Sequence, residues 1–268
     1  MRSFLWQSIL LGFAAKSTAI FQGAITTDPN AVGVVRLQTG DILVGSGVVI
    51  GNGRCVITAA HVVKGLSERN LSVYKNKVEQ GKITPTNDWV GASKINIPSQ
   101  YQGTSNPQEE PSAYDFAVVE LASAMATSPW KVSQTRGGAL DLTMYGWGNI
   151  SRNPPDPNMY PDELRSAVNK NSNIQGPECK DWKNFVGAIC VMSSKPNSVG
   201  RPSAEGLNCD GDSGGPNVAN GHVIGVTSGK NYACGYQTAG LLAGVSGSNQ
   251  EAFMRQYQST CGFQFGSP

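Results

Sequence analysis

Histidine is nearly missing from this chain of 268 residues: there are two, His61 and His222. Any imidazole chemistry must therefore pass through one of two positions. Charge is also sparse, at 21 Lys and Arg against 19 Asp and Glu, and the net charge of +2 is scattered along the chain. That excludes the concentrated basic footprint by which proteins hold nucleic acid. No run of 18 or more apolar residues follows the N-terminus, so no membrane span is expected after it. No Cys/His spacing fits zinc and no acidic loop fits calcium. Gly45-Ser46-Gly47 lacks the lysine of a phosphate loop, so neither a metal nor a cofactor is expected.

What the chain has is 32 glycines and short runs of Val, Ile and Thr broken by turn residues, the pattern of an all-β protein. Val32–Leu37 and Ile42–Val44 read as strands around Gln38-Thr39-Gly40-Asp41. Val48–Ile50 and Cys55–Thr58 flank Gly51-Asn52-Gly53, and Asn217–Ala219 and His222–Val226 flank Asn220-Gly221, a strong hairpin signal. Phe116–Leu121 and Leu142–Gly148 are further strands, residues 122–138 read as a linker, and residues 84–113 as an irregular surface loop. Ser248–Ser259 is free of Gly and Pro and reads as a C-terminal helix.

Residues 1–19 have the layout of a secretory signal: Arg2, the apolar Ile9–Ala15, then the small Ser17-Thr18-Ala19. A short membrane anchor or a buried N-terminal helix would be the other readings. With export, the six cysteines enter an oxidising compartment, where an even count favours disulfides.

The most informative stretch is Gly211-Asp212-Ser213-Gly214-Gly215-Pro216, a serine held in a turn of small residues. A serine hydroxyl is a weak nucleophile and needs a base within reach and donors for the developing oxyanion. His61, at the end of Val56-Ile57-Thr58-Ala59-Ala60-His61, is the candidate base, and His222 is an ordinary strand residue. Asp115 leads directly into an apolar run, is poorly placed for solvation, and so needs a partner. TAAH and GDSGGP, about 150 residues apart, resemble the chymotrypsin/trypsin-type serine proteases. Asp115-Phe116-Ala117-Val118 is similar to that family's Asp-Ile-Ala-Leu segment, and the order His61, Asp115, Ser213 is the family's.

The resemblance spans nearly all of residues 20–260, with 84–113 and 150–163 diverging. It implies two six-stranded antiparallel β-barrels, 20–130 and 131–247, with a helix and tail at 248–268. It implies a secreted (or, in a bacterium, periplasmic) monomeric endopeptidase acting on proteins or peptides and open to proteinaceous inhibitors. His61 would be the base, Asp115 its orienting partner, Ser213 the nucleophile, and the Gly211 and Ser213 amides the oxyanion hole. Ile20-Phe21-Gln22-Gly23 is similar to the family's mature N-terminus and stands at the family's spacing from His61. Its freed amine would pair with Asp212, exposed either by signal removal or by trimming a short propeptide after Ala14. Leu207 would floor the primary specificity pocket, with Asn208, Ser228 and Gly240 on its walls. A leucine cannot pair a cationic side chain, so an apolar preference is expected over Lys or Arg.

The family pattern also pairs Cys209 with Cys234 and Cys179 with Cys190. Cys55 and Cys261 remain, either bridged or as two buried thiols. Ser46 and Val62, and Leu142 and Ala219, stand where the family places two further bridges. The rival functional reading is a non-catalytic, protease-like binding scaffold; an esterase on another fold is disfavoured by the motif order.

Overall fold

A computed structural model describes residues 20, 23–103, 114–134, 141–150, 160–172, 179, 188–193, 206–230, 239–245 and 248–268. Six strands close the first barrel: β2 (Val34–Thr39), β3 (Ile42–Ile50), β4 (Cys55–Thr58), β5 (Ser72–Glu79), β6 (Lys82–Asn96) and β7 (Ala117–Leu121). Their order around the barrel is β2-β3-β4-β7-β6-β5. β1 (Ala24–Ile25) joins the other sheet, through β10 (Arg165–Ser172).

The second sheet adds β8 (Lys131–Ser133), β9 (Asp141–Gly146), β11 (Ala188–Ser193), β12 (Pro216–Ala219), β13 (His222–Lys230), β14 (Ala239–Gly244) and β15 (Phe265–Gly266). Its path β12-β9-β10-β11-β14-β13 is closed by the β12–β13 pairing, so six of its nine strands also form a ring. The remaining three are short additions, and β8 runs parallel to both β13 and β15. The fold is therefore the expected pair of six-stranded barrels, with the C-terminal helix Ser248–Cys261.

Two expectations need correction. The stretch 84–96, read as loop, belongs to the 15-residue strand β6. Gln80 and Gly81 both have positive φ, 51° and 74°, and turn β5 into β6. The register shifts between Tyr74 and Asn76, beside the position where Pro85 pairs with Asn76. Pro lacks a ladder donor and is tolerated at such irregular positions. Likewise the 122–138 linker contains β8. The turn Asn220-Gly221 is as expected, with φ of 46° and 74°. Asn70-Leu71-Ser72 and Asn149-Ile150-Ser151 have the Asn-X-Ser form of a glycosylation sequon. Asn149 is 1 % exposed and closed to modification in the folded chain, whereas Asn70 is exposed.

The helix ties the fold together. Phe253 meets Phe116 edge-on at 5.4 Å, and Met254 is fully buried. The last carbonyls of a helix have no partner within it. Here the β3–β4 turn supplies donors for two of them. Asn52 N donates to Cys261 O at 2.8 Å and Asn52 Nδ2 to Thr260 O at 2.9 Å. Cys55 is bonded to Cys261 across 206 residues of chain. Closing so long a loop restricts the unfolded chain strongly, so the double variant Cys55→Ala/Cys261→Ala is expected to lose about 2–5 kcal/mol of stability. Urea unfolding under non-reducing conditions checks this; an unchanged midpoint would contradict it.

Candidate active site

The register of β4 against β7 pairs Thr58 with Ala117. His61 follows Thr58 by three residues and Asp115 precedes Ala117 by two, so both leave the barrel at one end. His61 lies in the single helical turn Ala60–Val63. Asp115 is 3 % exposed. Its Oδ1 accepts the His61 backbone N–H at 2.8 Å, and its Oδ2 is 2.7 Å from His61 Nδ1. The same Oδ2 accepts the Ser228 hydroxyl at 2.6 Å. A buried carboxylate holding three donors fixes the imidazole with Nδ1 protonated and leaves Nε2 as the basic nitrogen. Burial first, and then the Asp115 charge, push the Tyr101 phenol above its ordinary pKa.

Ser213 stands in the turn that precedes β12. This turn is zipped to β13: Gly214 N donates to Thr227 O at 2.8 Å, and Thr227 N to Gly215 O at 2.9 Å. Ser228 follows Thr227, so one strand holds the Ser213 turn and carries the third donor on Asp115. On the first barrel's side, a Cβ on Gly214 would strike Thr58 Oγ1 and Ser46 O. Gly214 also has φ of +82° and Gly211 φ of +93°, both suited to glycine alone. The amides of Asp212, Gly214 and Gly215 all donate to backbone carbonyls. Among the described residues, those of Gly211 and Ser213 donate to none, and the Ser213 hydroxyl has no hydrogen-bond partner. Two unclaimed donors beside an unclaimed hydroxyl can receive an oxyanion formed by attack of that hydroxyl.

Asp212 is fully buried. Its Oδ1 accepts from Gly148 N and its Oδ2 from Cys209 N, each at 2.7 Å. A Cβ at Gly146 or Gly148 would collide with this carboxyl. Burial raises its pKa to about 7, against the lowering effect of the two amides. Ile20 is buried among Leu142, Met144, Ile189, Val191 and Leu242 of the second barrel. With residues 1–19 attached, its nitrogen is a peptide nitrogen and carries no ammonium charge to pair with Asp212.

The folded pKa of Asp212 lies above its ordinary 3.8, so the folded chain holds a proton that the unfolded chain has released. The uncleaved chain is therefore expected to lose stability as pH rises from about 4 to about 7. Asp212→Asn should flatten that slope. Urea midpoints at pH 4.5, 6 and 7.5 for both chains test it, and equal slopes would contradict it.

Of the expected pocket residues, Asn208 and Gly240 come together, and Leu207 precedes Asn208 in the chain. Leu207 is buried, and Asn208 Nδ2 donates to Gly229 O at 3.1 Å. The Ser228 hydroxyl is turned by strand alternation onto Asp115. A Cβ on Gly240 would lie 2.7 Å from Asn208 Oδ1 and 3.2 Å from Val191 Cγ2, so the glycine lets Asn208 pack against this strand. Lys230 forms an ion pair with Asp210, next to Gly211. Cys179 and Cys190 are joined, and Cys209 is disulfide-bonded. Its expected partner Cys234 lies outside the described residues. No group of three or more His, Cys, Asp or Glu among the described residues could hold a metal ion.

Residues 22–250 match the family model described as Trypsin. Among curated proteins, chymotrypsin-2 of Vespa crabro is 29 % identical over 65 % of this chain and 73 % of its own length. A trypsin of Xenopus laevis is 27 % identical over 86 % of this chain and 88 % of its own. Among solved structures, mouse neuropsin, a serine protease expressed in the limbic system of the brain, superimposes with a TM-score of 0.65 at 20 % identity. That match covers 89 % of this chain and 97 % of neuropsin and bears on the fold.

Proposed function

We propose, from the premise that this chain belongs to the trypsin family and is a serine endopeptidase, that His61, Asp115 and Ser213 carry its chemistry. Ser213 Oγ attacks the scissile carbonyl carbon while His61 Nε2 takes the hydroxyl proton. The carbonyl oxygen becomes an oxyanion received by the Gly211 and Ser213 amides. His61 returns the proton to the departing amine, which leaves an acyl ester on Ser213. Water repeats the sequence: His61 removes its proton, the tetrahedral intermediate forms again, and collapse frees the acid and the Ser213 hydroxyl. The observation that carries this reading is the two-point grip of Asp115 on His61, through Nδ1 and through the backbone amide.

Leu207 and the inward Asn208 support cleavage after apolar side chains of medium size. Secretion is proposed from residues 1–19 and from the disulfides, which persist in oxidising compartments. No helix among the described residues is long and apolar enough to cross a membrane. Processing before Ile20 would release an amine whose side chain is already seated in the second barrel, and pairing of that amine with Asp212 would complete activation. The protein is further proposed to act as a monomer, open to proteinaceous inhibitors.

The test is to incubate the secreted protein with a fluorophosphonate, map the adduct by mass spectrometry, and read cut sites in a peptide library before and after labelling. A Ser213 adduct that abolishes cleavage after apolar residues, on a chain beginning at Ile20, is expected. No adduct and no cleavage would favour the binding scaffold. Cuts after Lys or Arg would remove Leu207 from the pocket floor.

A further inference from the structure

We infer that Ser46 is a positioning residue for the oxyanion hole, one that holds the nucleophile turn from the opposite barrel. The inference rests on the catalytic reading of Ser213 and deepens it. Ser46 lies on β3, is fully buried, and sits far from the turn in sequence. Every polar group it owns is used. Its N–H donates to Ser213 O at 2.8 Å and its Oγ donates to Gly211 O at 2.8 Å. The same Oγ accepts from Trp147 N at 3.1 Å, and its carbonyl accepts from Thr58 Oγ1 at 2.7 Å.

Two of these four bonds land on the carbonyls of the residues proposed as oxyanion donors. Ser46 thus grips the peptide that follows each donor. The Gly211–Asp212 peptide is held at both ends, because Asp212 N donates to Cys209 O at 3.1 Å. The preceding Asp210–Gly211 peptide, which carries the Gly211 N–H, is anchored by Asn149 N on Asp210 O at 2.6 Å. These external ties matter because Gly211 is a glycine at positive φ and its own sterics do little to set the direction of its N–H. A donor aimed by neighbours costs no reorganisation during reaction, whereas a free one does. Trp147 supplies the backing: its indole N–H donates to Val34 O at 2.9 Å, fixing the backbone that in turn fixes the Ser46 hydroxyl.

Ser46→Ala removes the Gly211 tie and strands two buried groups, while keeping the amide bond to Ser213. Loss of aim at one donor is expected to lower kcat by about 10- to 100-fold with KM unchanged, less than removal of a donor outright. The decisive readout uses a peptide aldehyde and the matching alcohol. The aldehyde binds as a tetrahedral adduct whose oxygen enters the hole; the alcohol forms no adduct. Ser46→Ala should weaken the aldehyde by the factor lost in kcat and leave the alcohol unchanged. Ser46→Cys, which keeps the volume but offers a weaker donor, should fall between.

Equal weakening of both ligands would mean general loosening and would overturn the proposal, as would no change in either. If Ser46→Ala does not fold, the Ser46→Cys ratio of aldehyde to alcohol decides alone. Fluorophosphonate labelling of the unaltered chain separates the role of Ser46 from that of Ser213. Labelling and turnover with no Ser46 effect defeat this inference only; an unaltered chain that neither labels nor cleaves defeats the catalytic reading and this one with it.

Discussion

Replacing His61 by alanine is expected to lower kcat by about 10⁶-fold while the protein remains folded. The His61 side chain is 37 % exposed, so its removal leaves little cavity. What is lost is the proposed base, held at the site by Asp115. The other histidine cannot substitute. His222 opens β13, whereas Ser228, the residue that meets Asp115, lies six positions on, about 20 Å along the strand. His222 Nδ1 is engaged with Asn220 O at 2.9 Å, in the turn outside the site. His222→Ala should therefore leave kcat/KM unchanged. The His61 variant should retain a residual acceleration of about 10³–10⁴ over the uncatalysed reaction, because the Gly211 and Ser213 amides and the substrate contacts remain. Steady-state kinetics on one peptide amide, with circular dichroism melts of each variant, makes the comparison. A loss smaller than about 100-fold for His61→Ala would mean that another group takes the Ser213 proton.

How much of this is legible before folding depends on the range of each interaction. The Gly-rich turn around Ser213 and the apolar strand ending at His61 are written in contiguous residues, because a turn at positive φ and a buried strand each impose a local composition. Asp115 announces itself in the same way, as a charge at the head of an apolar run. Asn220-Gly221 and the C-terminal helix are local signals as well. β6 is not, since its pairing with β5 is irregular and its residues are those that usually mark loops. The roles of Ser228 and Ser46 are also invisible locally. Each is an ordinary serine within a strand, and its meaning comes from partners 113 and 165 positions away. The same is true of Asn208, whose side-chain oxygen stands 2.7 Å from where a Cβ on Gly240 would lie. Side chains that do chemistry leave a local mark because the backbone must present them. Side chains that aim other groups need only be small, polar and correctly placed by the barrel register.

Asp115→Asn should lower kcat by about 10⁴-fold while keeping nearly the same shape. The reason lies in the donor count at this carboxylate. Asp115 accepts from the His61 amide, from His61 Nδ1 and from Ser228 Oγ, which demands two accepting oxygens. An asparagine has one oxygen and one NH₂ group. If the oxygen keeps the His61 amide, the NH₂ faces Nδ1, and the imidazole must place its proton on Nε2 to accept from it. The nitrogen that faces Ser213 is then a donor and no longer a base. If the amide is turned, its NH₂ faces the His61 backbone N–H, donor against donor in a buried site, a conflict costing about 1–3 kcal/mol. The tautomer switch costs less, so the first orientation should dominate and activity should fall without collapse of the fold. Ser228→Ala separates the parts further: it removes one donor, leaves both His61 contacts, and should lower kcat far less than Asp115→Asn. The matching spectroscopic sign is the Nδ1 proton of His61 in a ¹⁵N-resolved spectrum, present in the unaltered chain and in Ser228→Ala but missing in Asp115→Asn. An asparagine variant that keeps that proton and its activity would show that Asp115 does not set the tautomer of His61.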